Sequence, residues 1–449
     1  MDKNIADIIK IVKGKIEDSG KINLRNIDTI VNAANPTLMG SDQGVDGSIH
    51  AAVNSFFING ENFADMICKE LATGNEKNRI RCSRGQAVKT EGYGLCRNVI
   101  HVVGSKYDGD AGRGIGCSSS RVILLESCYD NIIRVVRENA GIRNLAVPVI
   151  GSGEYGFPFP LAVKIALAGL GNALTEWKDE DEELFAMSGL EHIYLYVYDK
   201  KEETCNRNFK SAERIWNGYK PLFRNGKKAV FQNSFIAHWR YMNEIIRYDE
   251  KRGYFAAAGA VRALLMAVRF LFMPIMMLKD LFGKADWEKR RKTVEWLALV
   301  KVSLPVCFYI FWHWGFFTQN PQIYETVFPG MIIYSMSDTV TYLLTLIMMA
   351  DIQRPSANLI RSMIMLLVNY IEVALGMAYL YFFYYKNKAL VSIYDAVRFG
   401  LSGTGGENIK LESFADYAFF YADAAIKFFF LSLVFGYFAN HMKQRKFRS

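Results

Sequence analysis

Four apolar stretches in the last third of the chain limit the fold more than any other feature. They are VEWLALVKVSLPVCFYIFWHWGFF (294–317), VFPGMIIYSMSDTVTYLLTLIMMA (327–350), LIRSMIMLLVNYIEVALGMAYLYFFYY (359–385) and YAFFYADAAIKFFFLSLVFGYFA (417–439). Each is long enough to cross about 30 Å of hydrocarbon as a helix. Lipid offers the backbone no hydrogen bonds, so such segments fold as helices or not at all. Residues 293–449 therefore read as an all-α transmembrane domain. Basic residues precede the first stretch, separate the second from the third (Arg354, Arg361) and follow the fourth, whereas TQNPQIYET carries none. That asymmetry predicts an even number of crossings with both termini in the cytosol, in an inner or plasma membrane. Much of the net charge of +9 flanks these stretches. The placement suits an anionic bilayer face and argues against nucleic acid as a partner.

Upstream, residues 254–283 carry Arg262 and Arg269 seven apart, on one helical face. This predicts an amphipathic helix lying on the inner leaflet, joined by a linker over 221–253. Asp338, Glu372, Asp423 and Lys427 fall inside the predicted spans; such groups face a partner or water rather than lipid. Between the last two spans, residues 390–408 hold an apolar helix-like piece running into SGTGGE. It is too short to cross and predicts a re-entrant loop. Residues 359–442 resemble the pore module of tetrameric cation channels. The resemblance implies a homo-oligomer, with fourfold symmetry, and a backbone-lined filter at Ser402, Gly403, Thr404, Gly405 and Gly406, with Glu407 at the outer mouth. The potassium-type TVGYG is absent, and an ordinary extracellular Gly loop is the plainer alternative.

The first 220 residues are different in kind. Strand-like and helix-like segments alternate, predicting an α/β layer fold with a mixed sheet, closed by the helix around FKSAERIWNGYKPLF. IADIIKIVKGKI and KINLRNIDTIVNAA read as strands, as do GQAVKTEG, RNVIHVVG, RNLAVPVIG and EHIYLYVYD. Seven cysteines (Cys68, Cys82, Cys96, Cys117, Cys128, Cys205, Cys307) contain no CxxC pair, so no zinc site is expected, and they read as reduced thiols. The N-terminus lacks the apolar core of a signal peptide. Two Gly-rich loops follow apolar strands: Asn32 to Asp46 and Gly151 to Pro158. Loops of this kind hold phosphates on backbone N–H groups and helix N-termini, although glycines also serve simple tight turns.

VNAAN, GVDGSIH, GQAVKTEGYGL, VIHVVG and VPVIGSGEYGFP, in that order, resemble the macrodomain, an ADP-ribose-binding family, over about residues 1–200. The resemblance implies an α/β/α fold and a ligand site built from Asn32, Asn35, Asp42, Gly44, Val45 and Asp46 on one loop and Ser152, Gly153, Glu154, Tyr155 and Gly156 on the other. Asn35 and Tyr155 would meet the distal ribose, and no cofactor is implied. In hydrolytic relatives the place of Asp46 assists catalysis; here it is equally a ribose-binding carboxylate, and binding without turnover is the favoured reading. The family's GDIT-like stretch falls at GKIN, where Lys21 replaces an adenine-reading Asp, with Asp18 or Glu17 as substitutes. The stretch GSDQGVDG is longer and poorer in Gly than the family's GGGGVDG, which suits a ligand decorated with an added group. His101 reads as a satisfied buried histidine and His50 as a capping or packing residue.

A macrodomain joined to membrane spans resembles the effectors of Thoeris-type antiviral defence. That implies a ligand-gated membrane protein responding to ADP-ribose or an amino-acid conjugate of it. A membrane-anchored ADP-ribosyl hydrolase and a non-conducting ADP-ribose receptor are the alternatives.

Overall fold

The computed structural model describes residues 3–21, 24–57, 60–109, 119–232, 234–239, 242, 245, 256–317, 320, 322–348, 359–385, 391–403 and 412–442. The chain forms two compact units. The first comprises Met1–Gly253 and Lys279–Arg290; the second comprises Tyr254–Leu278 and Arg291–Ser449.

The first unit is built on six strands: β1 (Ile9–Lys13), β2 (Thr29–Ala33), β3 (Ala87–Glu91), β4 (Asn98–Val102), β5 (Asn144–Pro148) and β6 (His192–Val197), in the order β1-β6-β5-β2-β4-β3. The pairings are parallel except β3 against β4, so the sheet is mixed, as the alternation predicts. Successive strand residues feed opposite faces. Val31 and Ile100 join one buried cluster, while Ile30 and Val99 join another. Helices cover both faces: α1 (Gly44–Asn54), α2 (Ser119–Glu138), α3 (Phe159–Glu180) and the closing helix α4 (Glu202–Arg224). The unit is thus an α/β/α sandwich.

The two N-terminal stretches read as strands are each only partly so. Asn4 caps a helical turn at Ile5–Ile8, its side chain accepting from Ala6 N, before β1 begins. Ile16–Lys21 forms a short helix with Glu17 and Asp18 in its first turn, where carboxylates complement the helix dipole. Part of the segment expected to be a linker is packed. Ala229 pairs across to Asp286, Val230 N donates to the Ala285 carbonyl, and Ser234 N donates to Asp280 Oδ2 at 2.6 Å.

Further along, the helices are α5 (Ala256–Arg269), α6 (Met273–Gly283), α7 (Trp287–His313), α8 (Phe328–Met348), α9 (Leu359–Tyr385), α10 (Ile393–Ser402) and α11 (Phe414–Met442), all in the second unit except Lys279–Gly283 of α6 and Trp287–Arg290 of α7. Among the described residues, four helical stretches are long and apolar enough to cross a membrane: Ala256–Gly283, Trp287–His313, Ile323–Met348 and Ile360–Tyr385. The first of these is the stretch expected to lie on the bilayer surface. Arg262 and Arg269 do share a face, but both are buried, and the Arg269 guanidinium meets Asp338 of α8 at 2.5 Å. The counter-charge inside the unit turns that face inward. Asp338 also receives Lys301 of α7 at 2.5 Å. Glu372 of α9 accepts from Ser335 and Thr339, and Thr339 contacts Lys301 as well. Asp338 and Glu372, which lack partners nearby in sequence, are therefore bonded between helices.

The short piece after α9 is a helix, α10, started by a Ser392–Asp395 capping box and ended by Gly403 at φ 72°; among the described residues α11, over the stretch expected as the fourth span, is not one of the four. It lies close along α9: a Cβ at Gly400 would fall 2.2 Å from the Ala374 carbonyl oxygen. Lys427 of α11 donates to the Phe399 carbonyl and to Asp423, both at 2.6 Å. Lys427 thus pairs with Asp423 one turn away and also holds the C-terminal end of α10. Ser402 and Gly403 close α10; Thr404, Gly405, Gly406 and Glu407 lie outside the described residues, as do Arg354 and Cys117.

Candidate functional site

The two Gly-rich loops leave the carboxyl ends of neighbouring parallel strands, β2 and β5, the place where open α/β sheets bind ligands. After β2 the chain turns through Asn35 and enters α1 at Gly44. Gln43 stands at the N-cap and makes no side-chain hydrogen bond, so the first N–H groups of α1 are uncapped. Gly44 itself has φ 73°, a conformation that favours glycine. After β5 come Gly151 at φ 83° and Gly156 at φ 73°, and between them the N–H groups of Gly153, Glu154 and Tyr155 have no acceptor among the described residues. The loops approach each other: a Cβ on Gly44 would lie 3.7 Å from Glu154 Oε1. A helix N-terminus facing a row of open amides is a concave anion cradle.

Tyr155 closes one side. Its ring packs on Gly104, where a Cβ would come within 3.2 Å, and Arg84 lies 5.9 Å from the ring centre. Its hydroxyl stands 3.5 Å from the Ala34 carbonyl, and burial raises its pKa. Arg84 was not singled out in the sequence; it sits in an undistinguished SRG turn, and only the fold brings it to Tyr155. Asp42 and Glu154 are exposed, Ser152 is half-buried with its hydroxyl on the Val149 carbonyl, and Val45 packs against the core cluster beneath the site.

The asparagines are placed differently from the expectation. Asn32 is fully buried and supports the site from beneath, donating to Asp46 Oδ1 at 2.7 Å. Asn35 is engaged at both ends by its own loop. Its oxygen accepts from Thr37 N, Thr37 Oγ1 and Leu38 N, and its amine donates to the Gly40 carbonyl and to Asp46 Oδ2. The cause is local: an Asn two residues before a Thr in a turn closes an Asx-type turn on itself. Asn35 thus frames the loop over which a ligand would lie.

Asp46 is 4 % exposed. Burial raises its pKa, with His50 and the Asn32 bond acting in the opposite direction. His50 Nε2 stands 3.5 Å from Asp46 Oδ1, and burial pushes the His50 pKa down. Both Asp46 oxygens accept from asparagine amines, which suits a fixed carboxylate more than one that takes up a proton during reaction. The thiols nearby are not nucleophiles: burial pushes Cys82 up to about 11 and Cys128 up to about 12. No cluster with the make-up of a metal site occurs among the described residues.

The expected adenine-side substitution is corrected in register. The turn that leaves β1 is Gly14-Lys15-Ile16, one helix upstream of the Gly20-Lys21 pair. The helix Ile16–Lys21 and the turn Leu24–Asn26 are extra chain between that turn and β2, so counting back from Asn32 stops short of it. Lys15, with its ammonium 5.5 Å from the Tyr198 ring, is a cation in that turn. Lys15, Asp18 and Tyr198 line a cavity of about 430 Å³ at the carboxyl ends of β1 and β6.

A family model described as Macro domain matches residues 31–166. Among curated proteins, this chain is similar to an O-acetyl-ADP-ribose deacetylase of Cronobacter sakazakii, 32% identical over 39% of this chain and 88% of that protein. It is similar also to a macro domain-containing protein of Methanosarcina mazei, 32% identical over 48% of this chain and 92% of that one. Among solved structures, the Oceanobacillus iheyensis macrodomain with ADP is 25% identical, covering 49% of this chain and 95% of that one, with a TM-score of 0.35.

Proposed function

Because this chain belongs to the macrodomain family through its first unit, we propose that it is a nucleotide-responsive membrane protein, in which an ADP-ribose-type ligand held by the first unit controls the membrane behaviour of the second. The observation that carries the reading is the anion cradle between the α1 N-terminus and the open amides of Gly153, Glu154 and Tyr155. It occurs on one chain with four helical stretches of membrane-crossing length. The diphosphate lies on those N–H groups, the distal ribose beside Asp46 and Tyr155, and the added group of an amino-acid conjugate beside the exposed Asp42. Ligand binding shifts the second unit toward an open, conducting state to the extent that the ligand prefers that state. Conduction through an oligomer, with α10 as the re-entrant element, and a role in antiviral membrane damage are the finer parts of this proposal.

Turnover is the second reading. It is favoured by the relatives named as a deacetylase and by Asp46 at the start of α1. The engagement of both Asp46 oxygens favours binding without turnover.

The test is purified full-length protein in liposomes loaded with ion indicators, with ADP-ribose added to the medium and then an amino-acid conjugate. Flux that appears with ligand and disappears in Asn35→Ala and in Gly403→Trp supports the gated reading. Absence of flux with either ligand, together with release of ADP-ribose from modified protein, replaces it with the hydrolase.

A further inference from the structure

Behind Asp46 stand three side chains that do not reach the surface: Asn32, His101 and Thr90, each 0 % exposed. Their hydrogen bonds fix one another's direction. Thr90 Oγ1 donates its proton to the Glu91 carbonyl at 3.2 Å. His101 Nε2 lies 2.9 Å from that oxygen, and with the Thr90 proton directed at the carbonyl the network assigns the His101 proton to Nε2. Nδ1 is then bare and accepts from Asn32 Nδ2 at 3.3 Å. Burial lowers the His101 pKa to about 3, so the ring stays neutral. The second proton of the same Asn32 amine goes to Asp46 Oδ1. Asn32 Oδ1 is left buried without a partner, which is the cost of pointing both amine protons at acceptors.

We propose that His101 is a positioning residue: by presenting a bare Nδ1 it selects the Asn32 amide orientation that donates to Asp46, and so fixes the carboxylate and the Asn35–Gly40 loop bonded to it. The reversed amide would turn its oxygen toward both the Asp46 carboxylate and the Nδ1 lone pair, and both contacts would become repulsive. The consequence for ligand rests on the ADP-ribose reading above; the relay itself does not. The groups facing Asp46 are His50 on its own helix, Ser41 and Asn35 in the preceding loop, Asn32 from β2, and Tyr155 from the loop after β5, with His101 acting through Asn32. The Asn32 bond favours the ionised carboxyl, so losing it moves Asp46 protonation to higher pH.

Two measurements on the full-length chain in detergent decide the matter. The first is ADP-ribose affinity from pH 5 to 8 in wild type, Thr90→Val, His101→Phe and His101→Gln. Thr90→Val and His101→Phe are expected to weaken binding by roughly tenfold and to shift the pH midpoint upward, with His101→Gln, which again offers a donor and an acceptor, returning toward wild type. Thr90→Val and His101→Phe profiles that superimpose on wild type overturn the proposal. The second is ¹⁵N NMR of histidine-labelled protein, which holds six histidines. His101 with its proton on Nε2 supports the relay; a proton on Nδ1, or a charged ring, overturns it. This second measurement needs neither a ligand nor a variant that folds. If wild type fails to bind ADP-ribose, the ligand reading falls while the tautomer still decides the relay.

Discussion

At the scale of single residues, the site depends on positions where a side chain has no room. Gly40 has φ 83°, and a Cβ there would lie 2.9 Å from His50 Nδ1. Its carbonyl also takes the Asn35 amine. Gly40→Ala therefore combines backbone strain with a push on a buried ring, and is expected to cost about 1–3 kcal/mol in chemical denaturation of the first unit. An unchanged midpoint would show that the loop relaxes freely. His50 supplies a pH prediction. Its folded pKa lies below the unfolded 6.5 because burial penalises the cation. Stability from the neutral ring is complete above 6.5 and is lost as pH falls below it. His50→Gln should remove that acid-side slope, so the Tm of wild type drops relative to the variant between pH 7 and 5; parallel curves would refute the assignment. The sequence displays the Gly-rich loops and Asp46 openly, since phosphate cradles need glycine and a helix start, which are local properties. It hides the Thr90–His101–Asn32 relay and Arg84, because those contacts join strands and turns far apart in the chain. It also misplaces the cation in the turn after β1, since added helical turns are invisible to counting.

At the scale of elements, strands β3 to β6 and helices α2 to α4 follow their hydrophobic periodicity, and the α/β layering was legible from alternation alone. The first 26 residues were not, because short helical turns set by Asn4, Glu17 and Asp18 interrupt an otherwise strand-like apolar pattern. Inside the second unit, periodicity places Arg262 and Arg269 on one face but does not say what that face meets; Asp338 decides it. The same logic governs α10. Lys427 joins its C-terminus to α11 through the Phe399 carbonyl, sits 4.7 Å from the Phe399 ring centre, and neutralises Asp423, which is 3 % exposed. Lys427→Met leaves a buried carboxylate without its cation, a loss of about 3–5 kcal/mol in comparable buried pairs. The double variant Asp423→Asn, Lys427→Met should recover most of that loss, because both charges leave together. Thermal unfolding in detergent reads both. Additive losses in the double variant would mean that Lys427 acts on the α10 terminus alone.

At the scale of the whole molecule, a ligand-controlled membrane protein needs a resting arrangement that something holds. In the second unit the described candidate is the network in which Asp338 of α8 receives Arg269 of α5 and Lys301 of α7, while Thr339 links Lys301 to Glu372 of α9. Four helices meet in one charge-balanced cluster of two cations and two carboxylates. Clusters of this kind are costly to disturb, because removing one member strands the others in a low-dielectric setting. Asp338→Asn keeps the shape and removes the charge that holds both cations, so α5 and α7 lose their shared partner on α8. The expected result in liposomes is flux without ligand. ADP-ribose affinity is expected to rise, because a ligand that prefers the open state binds more tightly once that state is already populated. Raised basal flux with tighter binding assigns the network to holding the closed state. A variant that binds ligand more weakly and stays silent both with and without it assigns the network to the open state instead. Flux indistinguishable from wild type under both conditions removes the network from gating.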